Sequence, residues 1–436
     1  MHKLVLLTAL TCSLCLLVVS CEATTETSPV ASATAKEAGS IKFDHNDWPW
    51  WRGPTLDGIA VGTQDIPLEW SETKNVLWKQ PLPGKGHGTV TIVGDRIYLA
   101  TADEKRGAQM VLCLNRETGK QVWSKDVHTG GLKVEGNRKS SLASSTVACD
   151  GERLFISFLN GGAVHTSALS LSGELIWQKK ISDYAVHQGY GASPALYGPL
   201  VIVAADNKGG GAIVGLKRAN GDEVWRVERP DKPNYVSPLV RKVYSKDQLL
   251  MFGCELVSSF DPLTGKKNWE REGATTESVT TAVTNGELIY TSGGYPRNHV
   301  EAVRADGSKE IVWSNGTRIY VPSMIVQGQY LYGIADAGIA HCWNAKTGES
   351  MWKGRVRGVY TASPTIVGDY LFATNEVGKT YVLQASPKEF KIVRENELEK
   401  GEIYATPVFC RDRIYMRVAR ERGEERKETL YCFAKK

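Results

Sequence analysis

A glycine turn followed by a tryptophan recurs along this chain, and the recurrence limits the fold more than any other feature. NRETGKQVW ends at Trp123, LSGELIW at Trp177, RANGDEVW at Trp225, DPLTGKKNW at Trp269 and NAKTGESMW at Trp352. RADGSKEIVW, stretched by two residues, ends at Trp313, and NVLW ends at Trp78. The tryptophans are therefore 45, 54, 48, 44, 44 and 39 residues apart. An eighth unit ends in EFKIV, with Val393 where Trp would stand. A period of this length points to stacked supersecondary units.

A second column has the same period. Thr89, Thr146, Ser193, Ser237, Thr281, Ser323, Ser363 and Thr406 take equivalent places, and all eight carry hydroxyls. Each unit reads as four strands. The hydroxyl opens strand A, an apolar run such as RIYLAT or YLFATN makes strand B, and MVLCLN or TYVLQA makes strand C. The glycine turn then leads into strand D, which ends in Trp. Four-stranded units of about 40–50 residues predict propeller blades, so the expected fold is all-β with eight antiparallel blades. NVLW, 75–78, is a D strand with no A, B or C before it, and the last unit has A, B and C with no D. Joined in one sheet, they close the ring. One blade cannot bury both faces of its sheet alone. Trp78, Trp123, Trp177, Trp225, Trp269, Trp313 and Trp352 are therefore expected as apolar wedges between blades.

The first residues read as an export signal, 1–20: Lys3 supplies the charge, Leu4 to Val19 the apolar run and VVSC the end. VVSC resembles a lipobox, which implies a lipidated Cys21; ordinary cleavage nearby would leave a soluble periplasmic protein. Residues 21–40 lack large apolar side chains and read as a flexible tether. Residues 41–74 form an N-terminal aromatic segment, WPWWRGPTLDGIA at its centre, which either caps one side of the ring or offers an aromatic platform. A net charge of +5 over 436 residues gives no case for nucleic acid. Cys113, Cys342 and Cys432 hold one repeat position, so few or no disulfides are expected.

The phrases TGKQVW, TGKKNW and TGESMW resemble the eight-bladed PQQ-like (pyrrolo-quinoline quinone) repeat family over 75–436. Size and lipobox are similar to outer-membrane assembly lipoproteins of the BamB type, whereas the aromatic segment departs from that type. The resemblance implies a non-enzymatic, monomeric scaffold, facing the periplasm from the outer membrane, with a protein partner in the envelope and only a lipid anchor in the membrane. No cofactor is expected. The alternatives are a glycan or small-molecule receptor and a quinoprotein dehydrogenase with PQQ and calcium. Such dehydrogenases commonly carry adjacent cysteines, and this chain has no Cys-Cys, no CxxCH for haem and no GxSxG or HExxH.

Propeller sites usually lie at the channel mouth, on the face made by D–A and B–C loops. The residues before the hydroxyl column are the candidates: His87, His187, Tyr190, Asn234, Tyr235, Glu277, Arg318, Tyr320, Arg357, Tyr360, Glu402 and Tyr404. The tyrosines either contact a ligand or fill the upper channel. After strand B come Asp103, Asn160, Asp206, Glu255, Asp336 and Asn375, which read as turn devices, with a cation at the mouth as the alternative. ARERGEERKET, 419–429, reads as a solvated charged loop.

Overall fold

The computed structural model describes residues 41–436, apart from 134–135, 400 and 423–424. The leader and Cys21 lie outside the described residues. The chain divides into units 1–33 and 34–436, and all that follows concerns the second. It forms eight four-stranded antiparallel sheets. Blades 1 to 7 run consecutively, each ordered A–B–C–D from its inner strand, from blade 1 (91–129) to blade 7 (365–397). Blade 8 joins both ends of the propeller: the strand Val76–Leu82 pairs with Glu425–Phe433, with Trp78 opposite Cys432.

Three details differ from the expectations. Every hydroxyl of the column stands two residues before strand A rather than on it, as Thr89 does before Thr91–Val93 and Ser363 before Thr365–Val367. The hydroxyls bond across blades, not within them. Thr89 donates its N–H to Thr146 Oγ1 at 3.1 Å, Thr146 to Ser193 Oγ at 3.0 Å and Ser193 to Ser237 Oγ at 2.9 Å. Thr281, Ser323 and Ser363 repeat the step to Ser323, Ser363 and Thr406. Strand D, secondly, runs on beyond its Trp, as in Gln121–Thr129. The third difference is at 419–429. It is mostly paired strand, with Ala419 opposite Glu428, because ion pairs hold its charges in place.

The tryptophans pack between blades, and their packing explains the turn glycines twice over. Each turn glycine has a positive φ, +72° at Gly119 and +75° at Gly348. Each also lies flat against the Trp of the preceding blade: a Cβ on Gly119 would meet Trp78 at 2.5 Å, and one on Gly348 would meet Trp313 at 2.6 Å. The indole N–H reaches a carbonyl in the next blade, from Trp123 to Leu171 at 3.0 Å and from Trp313 to Ala345 at 2.8 Å. Behind five of the seven rings stands a strand-B aromatic, such as Tyr98 with Trp123 at 6.1 Å between centroids, whereas strand B is aliphatic at that place in the blades of Trp225 and Trp269. Where the turn is stretched by two residues, a Cβ on Gly307 would still lie 3.8 Å from Trp269, and that indole donates to Gln248 Oε1.

Blade 7 has Val393 instead of Trp. Its neighbour, blade 8, has no C–D hairpin and no turn glycine, because its C and D strands come from opposite ends of the propeller. The N-terminal aromatic segment supplies the missing wedge. Trp70, 2% exposed, stacks on Phe372, the strand-B aromatic of blade 7, at 6.2 Å and meets Phe433 of blade 8 at 5.8 Å. Its backbone N–H is fixed by Asn396 Oδ1 at 2.9 Å.

The rest of this segment runs across one end of the ring, against the ends of the A strands. Trp48 and Ile92 exchange backbone hydrogen bonds at 2.8 Å, and residues 58–60 bond Ile366 in the same manner. Arg52, 2% exposed, donates from Nη2 to the carbonyls of Asp57 and Met324. Burial pulls its pKa down to about 10. The six cysteines among the described residues are free and buried, and burial pushes the Cys113 thiol up to about 12.

Buried histidines give this fold an acid sensitivity. His299, 4% exposed, lies between strands of blade 5 with neither ring nitrogen partnered among the described residues. Desolvation, helped by Arg297, lowers its pKa to about 4. An unfolded chain takes up this proton near pH 6.5, while the native state resists it until about pH 4, so stability falls as pH drops through that window. Replacing His299 by leucine should remove up to about 1 kcal/mol per pH unit of that slope between pH 6 and 5, as read from urea midpoints.

Candidate functional site: the blind channel

The end of the ring opposite the aromatic segment opens into a cavity of about 330 Å³. Trp51 of that segment lines its floor and donates its indole N–H to Thr281 Oγ1 at 2.8 Å. The channel is therefore blind. The inter-blade hydroxyls form the wall above, including Thr146, Ser237, Ser323 and Thr406.

Four of the expected tyrosines line the cavity: Tyr190, Tyr235, Tyr320 and Tyr404. Their hydroxyls differ. Tyr190 donates to the Ala204 carbonyl at 3.1 Å and packs edge-on against Tyr184. Tyr320 donates to Glu277 Oε2 at 3.1 Å, while His187 Nε2 lies 2.8 Å from Glu277 Oε1. Arg318 lies over the Tyr320 ring, 5.0 Å from its centroid, and bonds the Gly294 carbonyl at 2.7 Å. Tyr235 Oη makes no hydrogen bond of good geometry among the described residues, with the Gln188 backbone beside it, and burial raises its pKa.

His87 packs against Tyr404 with centroids 4.6 Å apart. Its Nε2 also makes no hydrogen bond of good geometry among the described residues. Burial, with Lys85 and Arg417 acting in the same direction, holds its pKa well below the ordinary value, so the ring is neutral at pH 7.

Other expected mouth residues stand elsewhere. Tyr360 is 1% exposed in the core between blades 6 and 7, because its ring fills the apolar space beside Tyr332 and Tyr381. Arg357 is exposed outside the cavity lining. Asn234 is buried and holds Asp206, Phe252 and Ser278 together. Glu402 pairs with Arg426 at 2.6 Å.

The residues after strand B tie loops. Asp103 Oδ1 accepts from Lys105 and Arg106, and Asn375 Oδ1 from Val377 and Lys379. Asp336 accepts from the Tyr320 and Val321 N–H groups, and Asn160 donates to the Gly130 carbonyl. Asp206 pairs with Arg229 at 3.1 Å, and Glu255 pairs with Lys232.

One part of the mouth has no counterpart among the sequence expectations. The connection from Gln121–Thr129 to Ala148–Cys149 reaches across the opening. Its Lys139 pairs with Glu376 of blade 7 at 2.6 Å, and Thr361 donates to the same carboxylate. Asn137 N–H bonds the Gln188 carbonyl at 3.2 Å. The sequence signal was the 54-residue spacing from Trp123 to Trp177, the longest of the series.

Solved structures share the fold. BamB from Moraxella catarrhalis matches with TM-score 0.59 at 16% identity, over 82% of this chain and 99% of that one. A europium-containing methanol dehydrogenase matches with TM-score 0.64 at 11% identity, over 90% and 99%. Quinohemoprotein alcohol dehydrogenase from Comamonas testosteroni matches with TM-score 0.65 at 12% identity, over 92% and 83%. No curated protein sequence matches significantly. The family model described as outer membrane protein assembly factor BamB matches residues 59–183 and 107–354, more than half of the chain. With the Trp wedges, the blind channel and the closed ring, that match makes the chain a member of this PQQ-like repeat family.

Proposed function

We propose that this protein is a non-catalytic binding propeller of the cell envelope, which holds a protein partner during outer-membrane protein assembly. The observation that carries the reading is the family match over 59–354, whose described role is assembly of outer-membrane proteins. Export and a lipid at Cys21, expected from the leader, would tether the ring on the periplasmic side. Two surfaces suit a partner. One is the open mouth. The other is the perimeter, where each D strand has one unpaired edge, and Val122 and Ile176 stand 48% and 45% exposed.

The quinoprotein alternative calls for a quinone with calcium, and the residues of this channel do not fit that centre. Calcium needs several oxygen ligands, carboxylates above all. The cavity lining contains no Asp or Glu. The carboxylates nearest the mouth, Glu277 and Glu376, are already bonded to His187 and Tyr320, and to Lys139 and Thr361. Among the described residues, no three His, Cys, Asp or Glu side chains group as metal ligands would. These facts favour the binding reading over the oxidoreductase.

The test is a crosslinked pull-down of the full-length protein from its own envelope, read by mass spectrometry. Reproducible recovery of the β-barrel insertion machinery is the expected outcome. Recovery of nothing above a Cys21→Ala control would sink the proposal.

A further inference from the structure

The channel's lining is chemically one-sided. Ten of its 23 residues are Ser or Thr, four are Tyr, and Asn137 and Gln188 add amides. The single charged residue of the lining, Lys139, is held by Glu376. His87 is neutral, as its burial requires. The inter-blade hydroxyls accept backbone N–H groups, which leaves each O–H able to donate. Tyr235 Oη and His87 Nε2, both buried, make no hydrogen bond of good geometry among the described residues, with the Gln188 and Lys139 backbones standing beside the two side chains. A buried polar group without a partner is costly, so these two atoms mark places where a ligand or ordered water bonds.

We propose that the blind channel is a binding site for a neutral saccharide. The class follows from the complement of the lining. The ligand must carry many hydroxyl and ether oxygens, to meet the Ser, Thr, Tyr and amide groups. It must also offer an apolar face, because aromatic rings attract weakly positive C–H groups with their negative faces. A pyranose has both. Carboxylate and phosphate ligands are disfavoured, since bringing an anion here leaves it desolvated without a free cation. The same argument disfavours the free carboxyl end of a peptide. The cavity's size, about 330 Å³, is at the small end of ligand pockets and suits one or two sugar rings. This site is separate from the perimeter strand edges proposed for a partner, and it shares the mouth with the other partner surface.

The experiment is calorimetric titration of the mature protein with cellobiose, maltose and N,N′-diacetylchitobiose, beside glucuronate and a short peptide ending in a free phenylalanine. At least one neutral sugar should bind with Kd below about 1 mM, and raising the salt should leave Kd unchanged. Tyr235→Phe keeps the ring and removes the unpartnered hydroxyl. It should weaken that binding about 5- to 10-fold while leaving the unfolding midpoint in place. Tyr404→Leu should weaken it to a similar degree by removing an aromatic face. The proposal is overturned if no neutral sugar binds, if neither substitution alters the binding, or if glucuronate or the peptide binds more tightly. The envelope pull-down reads the scaffold role separately, so either idea can fail without the other.

Discussion

Glu428→Ala should destabilise the propeller by about 3–5 kcal/mol, the cost of leaving one partner of a buried ion pair without the other. Glu428 is 2% exposed on the strand that pairs with Val76–Leu82, directly opposite Leu82. Its Oε2 accepts from Arg417 Nε at 2.5 Å, and its Oε1 from Arg426 Nε at 3.1 Å. The backbone N–H of Gly86, on the way into blade 1, points at the same carboxylate at 3.3 Å. Arg417 then crosses the seam: Nη1 donates to the Ala100 carbonyl at 2.7 Å and Nη2 to Thr101 Oγ1 at 3.1 Å. Without Glu428 the guanidinium stays in the interior, uncompensated, where the last blade meets the first. Urea unfolding reads the loss. The double substitution Arg417→Met with Glu428→Leu is the control. It removes both charges and should cost much less than Glu428→Ala alone, because the expense lies in the orphaned partner. Equal losses in the single and double variants would show that the pair's role is packing, not charge.

Trp70→Ala is the second large effect, at about 3–5 kcal/mol for a buried aromatic removed to the β-carbon. The loss should be local in character. Trp70 is the wedge between blades 7 and 8, and no neighbouring repeat supplies another. Hydrogen exchange should therefore quicken first in the strands Ile392–Glu397 and Glu425–Phe433, well before blades 2 to 5 respond. Uniform acceleration around the ring would mean that this seam is no weaker than the others. The comparison with Trp225→Ala, a wedge supplied by its own blade, separates the two cases.

The ring was legible because its determinants are repeated and local. Trp, turn glycine and hydroxyl recur at short offsets, and six to eight copies make each column visible. The reasons behind two columns were not legible. A turn glycine reads as a need for positive φ, but nothing local says that the previous blade's indole lies against it. The hydroxyl column reads as part of strand A, since its acceptor role is played toward another blade. Single-copy features were harder still. Trp70 could be found only by counting seven wedges for eight seams. Lys139 meets Glu376 across 237 residues, and no periodicity connects them. Tyr360 looks like its mouth-side neighbours in sequence, yet its ring fills the core beside Tyr332 and Tyr381.

The shared eighth blade has a consequence for how this molecule comes into being. Lys436 bonds the Asn75 side chain across 361 residues, and the strand Val76–Leu82 pairs with residues near the other end of the propeller. On the ribosome that strand emerges early and waits for nearly the whole ring to follow. Its edge, with Leu77 39% exposed even in the finished ring, is open during that time. Loop closure over such a length comes late in assembly, so the last event in making the molecule is the meeting of its first and final strands. A truncated chain lacking only the last strand would lose not one strand but the partner of the first, and should be left as an open, aggregation-prone arc.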